Sequence, residues 1–155
     1  AQGRLGPGRI HHCMRAVGMA EKALKLMCER SVSRTAFGKP LAKLGGNYDR
    51  IAEARMDIDM ARLLTLRTAY AIDTAGVPEA QVCISKIKAA VPKIAIDIID
   101  DAIQMHGAAV VSQDFPLALM YANASSLRLD DVPYEVHRMV VARNELRPYL
   151  KARQG

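Results

Sequence analysis

Apolar residues recur at a helical period along most of this 155-residue chain. Ile10, Cys13, Met14, Val17, Ala20, Leu24 and Met27 share one face, which predicts an amphipathic helix over residues 8–34. Ile51, Ala54, Ile58, Ala61, Leu64, Thr68 and Ile72 mark a second helix, 47–75, closed by Gly76. Val77-Pro78-Glu79 restarts the chain, with Pro78 at a first helical position. The third helix, 79–106, carries Ile84, Ile87, Val91, Ile94, Ile98, Ala102 and Met105, with Pro92 expected to kink it and Gly107 to end it. Asp114-Phe115-Pro116 opens a short segment, 115–125, and Val132-Pro133-Tyr134-Glu135 opens a last helix, 133–150. The pattern contains no strand and no repeat. Long helices with short connections imply an all-α fold: an antiparallel up-and-down four-helix bundle with one additional short helix.

Composition supports that reading. Half the residues are hydrophobic, only 5% are aromatic and Trp is absent, so aliphatic helix-on-helix packing must supply the core. At this length the chain suffices for one domain, 1–155. No apolar run is long enough to span a membrane, and Ala1–Gly8 reads as a loop rather than a leader. Cys13, Cys28 and Cys83 are scattered among apolar residues and read as buried free thiols of a reducing compartment. There is no metal-ligand spacing; His11 and His12 are adjacent and diverge on a helix. The formal net charge is +6, but the cations are dispersed without an aromatic stacking surface. This disfavours nucleic acid and suits pockets for anionic groups.

One stretch combines chemistry with a turn: Arg34-Thr-Ala-Phe37-Gly38-Lys-Pro40. A guanidinium can bind a pyrophosphate through two charge-assisted bonds, and Phe37 can wall a flat ring. The same residues also read as a helix C-terminus, with cations complementing the dipole and Gly and Pro stopping the helix. Glu53, Arg55, Asp57, Asp59 and Arg62 form a solvated ladder of opposite charges to which no chemistry attaches.

Four motifs in order resemble the C-terminal helical domain of the acyl-CoA dehydrogenase family. Arg9 precedes Gly18-Met-Ala as the family's arginine does on its first helix. Arg34-Thr-Ala-Phe37-Gly38 matches an R-x-x-F-G turn. Gln104-Met-His-Gly107-Ala resembles Q-x-x-G-G, and Asp131-Val-Pro-Tyr-Glu-Val-His-Arg138 resembles E-G-T-S-x-x-x-R. The wording of Gly6–Arg15 and Ser112–Ala118 is similar to the branch of family members ten and eleven and their bacterial relatives, where Asp stands for the usual Glu.

The resemblance implies FAD as cofactor and an acyl-CoA thioester as substrate, oxidised to the trans-2-enoyl-CoA. It implies Asp131 as the base that removes the α-proton; the competing reading of Asp130 and Asp131 is a helix N-terminal acid or cap. Arg34, Phe37, Gln104 and Gly107 would hold the flavin of a neighbouring subunit, although Gln104–Gly107 also reads as a plain helix end. Glu135 would help hold the flavin, or serve as the acid of a capping box. Arg9, Val132 and Arg143 would line the acyl-CoA site, with Arg143 equally readable as a surface cation. The implied partners are further copies of the chain, as a dimer or tetramer, and an electron acceptor such as electron-transfer flavoprotein. The implied location is intracellular: cytoplasm in bacteria, mitochondrion or peroxisome in eukaryotes. The family's N-terminal helical domain and middle β-barrel are absent from this sequence.

Several positions depart from the family pattern. Val132 stands in place of Gly, Ala36 in place of a hydroxyl residue, Ala108 in place of a second Gly, and Gly45 in place of Gln. Gly8 occupies the position where some relatives carry their base. Two alternatives remain open: a nitroalkane-oxidase-like flavoenzyme domain, which also uses Asp, and a non-catalytic helical oligomerisation module.

Overall fold

The computed structural model describes the backbone of residues 2–153 and the side chains of residues 5–153. Ala1, Gln154 and Gly155, part of the expected domain, lie outside the described residues. Five α-helices make the fold: α1 (Gln2–Ser33), α2 (Asn47–Ala75), α3 (Gln81–His106), α4 (Leu117–Ser126) and α5 (Tyr134–Ala152). Two two-residue strands, β1 (Thr35–Ala36) and β2 (Lys39–Pro40), pair antiparallel between α1 and α2. Single 3-10 turns follow β2 at Leu41–Lys43 and α3 at Gly107–Val111.

The expected apolar stripes form the core. Cys13, Ala16, Val17, Ala20, Ala23, Leu24 and Met27 of α1 pack on Ile87, Val91, Ala95, Ile98, Ile99, Ala102 and Met105 of α3. Alanines on both sides let the two helices approach closely. α3 is the central element: α1, α2, α4 and α5 all pack against it. It is therefore buried almost all round, and even Pro92 lies inside an unbroken helical segment. α2 contributes a thinner stripe, in which Thr65 and Thr68 are fully buried. Their hydroxyls donate back to the carbonyls of Ala61 (2.7 Å) and Leu64 (2.9 Å), so no polar atom there is left unpaired. Gly76 (φ 90) and Gly107 (φ 68) close α2 and α3 with backbone bonds to Ile72 and Ile103.

Five details correct the sequence-based expectations. The residues read as an opening loop are helical from Gln2, so α1 starts well before residue 8. Tertiary packing overrides the poor helix propensity of Gly6, Pro7 and Gly8: a Cβ on Gly6 would lie 2.9 Å from a Val77 methyl, so only glycine allows α1 to rest on the turn before α3. Pro78 belongs to that turn rather than to a helical N1 position, since α3 begins at Gln81. A small hairpin exists where none was expected, because Phe37 (φ 49) and Gly38 (φ 71) form a two-residue turn with both φ positive, which joins strands without splaying them. Of the cysteines only Cys13 is buried; Cys28 and Cys83 are half-buried.

The fifth correction concerns the charge ladder. Arg55 grips Glu21 of α1 with both guanidinium nitrogens, at 3.0 and 2.8 Å, and Arg62 binds the same carboxylate. Asp59 joins from below at 3.3 Å from Arg55. The ladder is therefore a network that clamps α2 onto α1, and Glu21 is its hub. These bonds, led by that of Arg55, lower the Glu21 pKa to about 2.

Candidate functional site

Asp131 lies in the connection between α4 and α5. That connection is tightly wound: the amides of Leu129 and Asp130 both donate to Ser126 O, at 2.9 and 3.0 Å, and Tyr134 N–H donates to Arg128 O at 3.1 Å. Its tip is strained. Asp131 has φ 54 and Val132 has φ 87, both in the left-handed region that a β-branched residue strongly resists. The Asp131 side chain keeps about a quarter of its surface exposed, 25%. Opposite it is the first part of α1, where a Cβ on Gly8 would come within 3.6 Å of Asp131 Oδ2. His12, one turn further, places Nδ1 3.8 Å from the same oxygen. Burial, the larger influence, draws the His12 pKa down, and the Asp131 charge opposes it.

Arg9, expected to line the acyl-CoA site, faces the Asp131 backbone. It is buried, at 3% exposure, and its guanidinium donates to the Asp131 carbonyl at 3.3 Å. It holds the strained turn rather than presenting a free cation. Val132 is exposed beside Asp131, and Glu135 is exposed in the first turn of α5. The capping readings fail on geometry. The residue preceding α5 is Pro133, and no side chain caps that end, so neither a capping box at Glu135 nor a cap by Asp130 or Asp131 is present. Arg143 is exposed further along α5.

The second group of expected residues meets at the other end of α1. Arg34, Gln104 and Gly107 line one open cavity of about 460 Å³, together with Arg30 and Ala108. The Arg30 guanidinium reaches the His106 carbonyl at 3.5 Å and ties α1 to the end of α3. Gly107 is in the left-handed region with no atom within 4 Å of a hypothetical Cβ, so its backbone faces open space. An adjoining cavity of about 410 Å³ shares Gln104 and is lined by Gly45, Asn47 and Arg50. Gly45 (φ 53) and the Asn47 amide, which donates to Leu41 O at 2.7 Å, shape this rim. Phe37 stands at the hairpin tip with 94% of its surface exposed. Such a donor set, with two arginines, a primary amide and an unencumbered glycine backbone, fits a phosphate-bearing dinucleotide.

The two groups do not form one site within a single chain. Arg9 and Ser33 stand near opposite ends of α1, separated by about 36 Å at the helical rise of ~1.5 Å per residue. That distance exceeds the span of one dinucleotide.

Sequence reasoning missed Lys88, His137 and Ser85. Lys88 is completely buried and its ammonium donates to Leu127 O. His137 is buried against Ser85, with Nδ1 3.2 Å from the hydroxyl. A signal was available. Ile84, Lys88, Val91 and Ala95 follow a helical period, and Arg9 continues the Cys13–Val17–Ala20 stripe toward the N-terminus. A cation on an apolar stripe marks a buried polar partner. Among the described residues no group of His, Cys, Asp and Glu could hold a metal ion, and no helix is long and apolar enough to cross a membrane.

Comparisons with known proteins identify the family of this chain. Residues 1–146 match the family described as acyl-CoA dehydrogenase, C-terminal domain. Acyl-CoA dehydrogenase family member 11 of Rattus norvegicus is 53% identical over 99% of this chain, which spans 20% of that protein's length. A solved acyl-CoA dehydrogenase-like protein of Mycobacterium abscessus superposes with a TM-score of 0.93 at 56% identity, covering 96% of this chain and 37% of the other. Butyryl-CoA dehydrogenase of Megasphaera elsdenii gives a TM-score of 0.83 at 30% identity, covering 92% of this chain and 37% of its own. The Asp131 turn, the Arg34–Gln104–Gly107 cavity and the all-α fold thus belong to a chain that is a member of the acyl-CoA dehydrogenase C-terminal domain family.

Proposed function

We propose that this chain is the C-terminal helical domain of a flavin-dependent acyl-CoA dehydrogenase, which converts an acyl-CoA thioester to the trans-2-enoyl-CoA. The observation that carries this is Asp131: a partly exposed carboxylate on a strained turn, with its backbone held by the buried Arg9. Asp131 takes the acidic α-proton onto its carboxylate as general base. FAD, when bound, supplies the acceptor for the β-hydrogen and its electron pair. Val132 shapes the floor beside the α-carbon, and Glu135 meets the flavin from the first turn of α5. Arg143 meets the anionic part of the CoA. Arg9 acts through the Asp131 backbone instead of touching CoA.

Arg34, Phe37, Gln104 and Gly107 hold the dinucleotide's phosphate and adenine side. Because about 36 Å of helix separates them from the Asp131 end, they serve a flavin other than the one beside their own Asp131. Each complete site therefore combines two copies of the chain, in a dimer or tetramer. The exposed Met56, Met60, Leu63, Leu66 and Tyr70 of α2 and Leu146, Tyr149 and Leu150 of α5 supply apolar surface for such contacts and for the family's other domains. The enzyme works inside the cell and passes electrons to an acceptor such as electron-transfer flavoprotein.

The test is anaerobic flavin reduction by acyl-CoA in full-length protein. Asp131→Asn keeps the side chain's size but cannot take the proton, so bleaching slows by about 10²–10⁴-fold, while Asp130→Asn bleaches nearly as wild type. Flavin stays bound in both. Normal bleaching in Asp131→Asn would place the base elsewhere.

A further inference from the structure

Lys88 is the largest completely buried side chain of the described residues. Among the described residues no carboxylate lies within ion-pair distance of it; its contact is the hydrogen bond to the carbonyl of Leu127. Cys13 beside it stays protonated, its pKa pushed up to about 12 by burial. A lysine buried without an ionic partner is costly to the fold. An apolar side chain of equal length would fill the same space, so what lysine adds is the donor and, when protonated, a charge that interacts with Asp130 and Asp131.

The acceptor's place in the chain gives that donor a purpose. Leu127 is buried and is the first residue after α4, where the tight connection to Asp131 begins. From there the turn is wound on Ser126 O and Arg128 O, and it ends in the two strained residues Asp131 and Val132. Among the described residues, side chains from other elements hold its backbone at two carbonyls. Lys88 of α3 holds Leu127 at the start, and Arg9 of α1 holds Asp131 at the tip. Positive φ at a β-branched residue persists only where surrounding contacts over-determine it. With the start of the turn released, the strain at Val132 can relax by rotating the turn, and the Asp131 carboxylate moves with it.

We propose that Lys88 is a positioning residue for Asp131, acting through the Leu127 carbonyl to keep the α4–α5 turn in its strained, reactive conformation. This rests on the proposed role of Asp131 as base. Either protonation state of Lys88 can donate to a carbonyl.

The experiment compares full-length wild type with Lys88→Met, which keeps length and apolar volume but has no donor. The expected result is a kcat for acyl-CoA oxidation lower by about 10–10²-fold, the scale of a misplacement near 1 Å, with KM and flavin content unchanged. Amide exchange at residues 129–134 speeds up while that of α1 and α3 does not. A variant with wild-type kcat overturns the proposal. So does a kcat loss without faster exchange in the turn, or a loss accompanied by equal destabilisation of α1 and α3. Should Lys88→Met fail to fold, Lys88→Gln, whose amide donor sits on a shorter stem, is read in the same way, with the same outcomes supporting or overturning the proposal. A wild type inert toward every acyl-CoA sinks the dehydrogenase function instead, and the exchange comparison still reports whether Lys88 holds the turn.

Discussion

A Cβ added at Gly8 would stand 3.6 Å from Oδ2 of Asp131. The start of α1 and the α4–α5 turn thus converge on one point, and a carboxylate could reach it from either. Gly8 leaves that point to Asp131 alone. In the Asp131→Asn background, Gly8→Glu is expected to restore flavin bleaching by acyl-CoA by about tenfold or more, out of the ~10²–10⁴-fold lost with the base. Glutamate is also a better helix former than glycine, by roughly 0.5–1 kcal/mol, so the fold should tolerate it. A folded, flavin-loaded double variant with no recovery would show that the two positions do not face the same reacting carbon.

Val132 at φ 87 stores strain that glycine would not. Strain of this kind is worth about 1–3 kcal/mol, and glycine returns roughly 0.5–1 kcal/mol of it through the greater freedom of the unfolded chain. Val132→Gly is therefore expected to raise unfolding stability by about 1 kcal/mol. Thermal or denaturant unfolding reads this directly. A loss of stability would mean that the isopropyl group's contacts outweigh the backbone strain.

The helices, their stops at Gly76 and Gly107, and the clustering of Arg34 with Gln104 and Gly107 were legible because each rests on a local rule: periodicity, a glycine terminus, a motif. The start of α1 was not legible. Gly6 and Pro7 argue locally for a loop, and only the approach of Val77, brought there by the tertiary fold, makes glycine the residue that fits. The inward turn of Arg9 was hidden for a similar reason, since its partner is a backbone carbonyl 122 positions away. A sequence carries no sign of which carbonyl will be left free. Glu21 was missed because an isolated acid on α1 acquires meaning only when Arg55 and Arg62 of α2 arrive beside it.

That network makes stability depend on pH in a defined window. Glu21 ordinarily titrates near 4.5, and hydrogen bonds from Arg55 and then Arg62 lower it to about 2 in the folded chain. Its folded-state pKa is depressed, so the stabilisation is fully present above pH 4.5 and is lost as pH falls toward 2. With 32% of the side chain exposed, solvent screening holds the contribution to about 1 kcal/mol. Glu21→Gln should lower unfolding free energy by that amount at pH 7. The gap between variant and wild type should close between pH 4.5 and 2. A gap that persists at pH 2 would show that the network's value is packing rather than charge.

Phe37 sits in the left-handed region (φ 49) with nearly all of its surface in solvent. Neither feature helps the isolated domain: an exposed ring gains no burial, and Asn suits the first position of this turn better. Phe37→Asn is accordingly expected to leave stability unchanged or raise it by up to ~1 kcal/mol. If Phe37 is retained as a wall for a flavin dinucleotide, the same change must weaken cofactor retention in the full-length oligomer. Arg34→Ala provides the comparison. Losing a charge-assisted bond to phosphate costs roughly 1.5–3 kcal/mol, or about one to two decades in affinity, again with little effect on the fold because Arg34 is exposed. Both variants should release flavin on dialysis while unfolding at or above the wild-type temperature. Full flavin occupancy in Phe37→Asn would reduce Phe37 to an unfavourable turn residue with no ligand, and the same result in Arg34→Ala would leave that arginine as a helix-end cation.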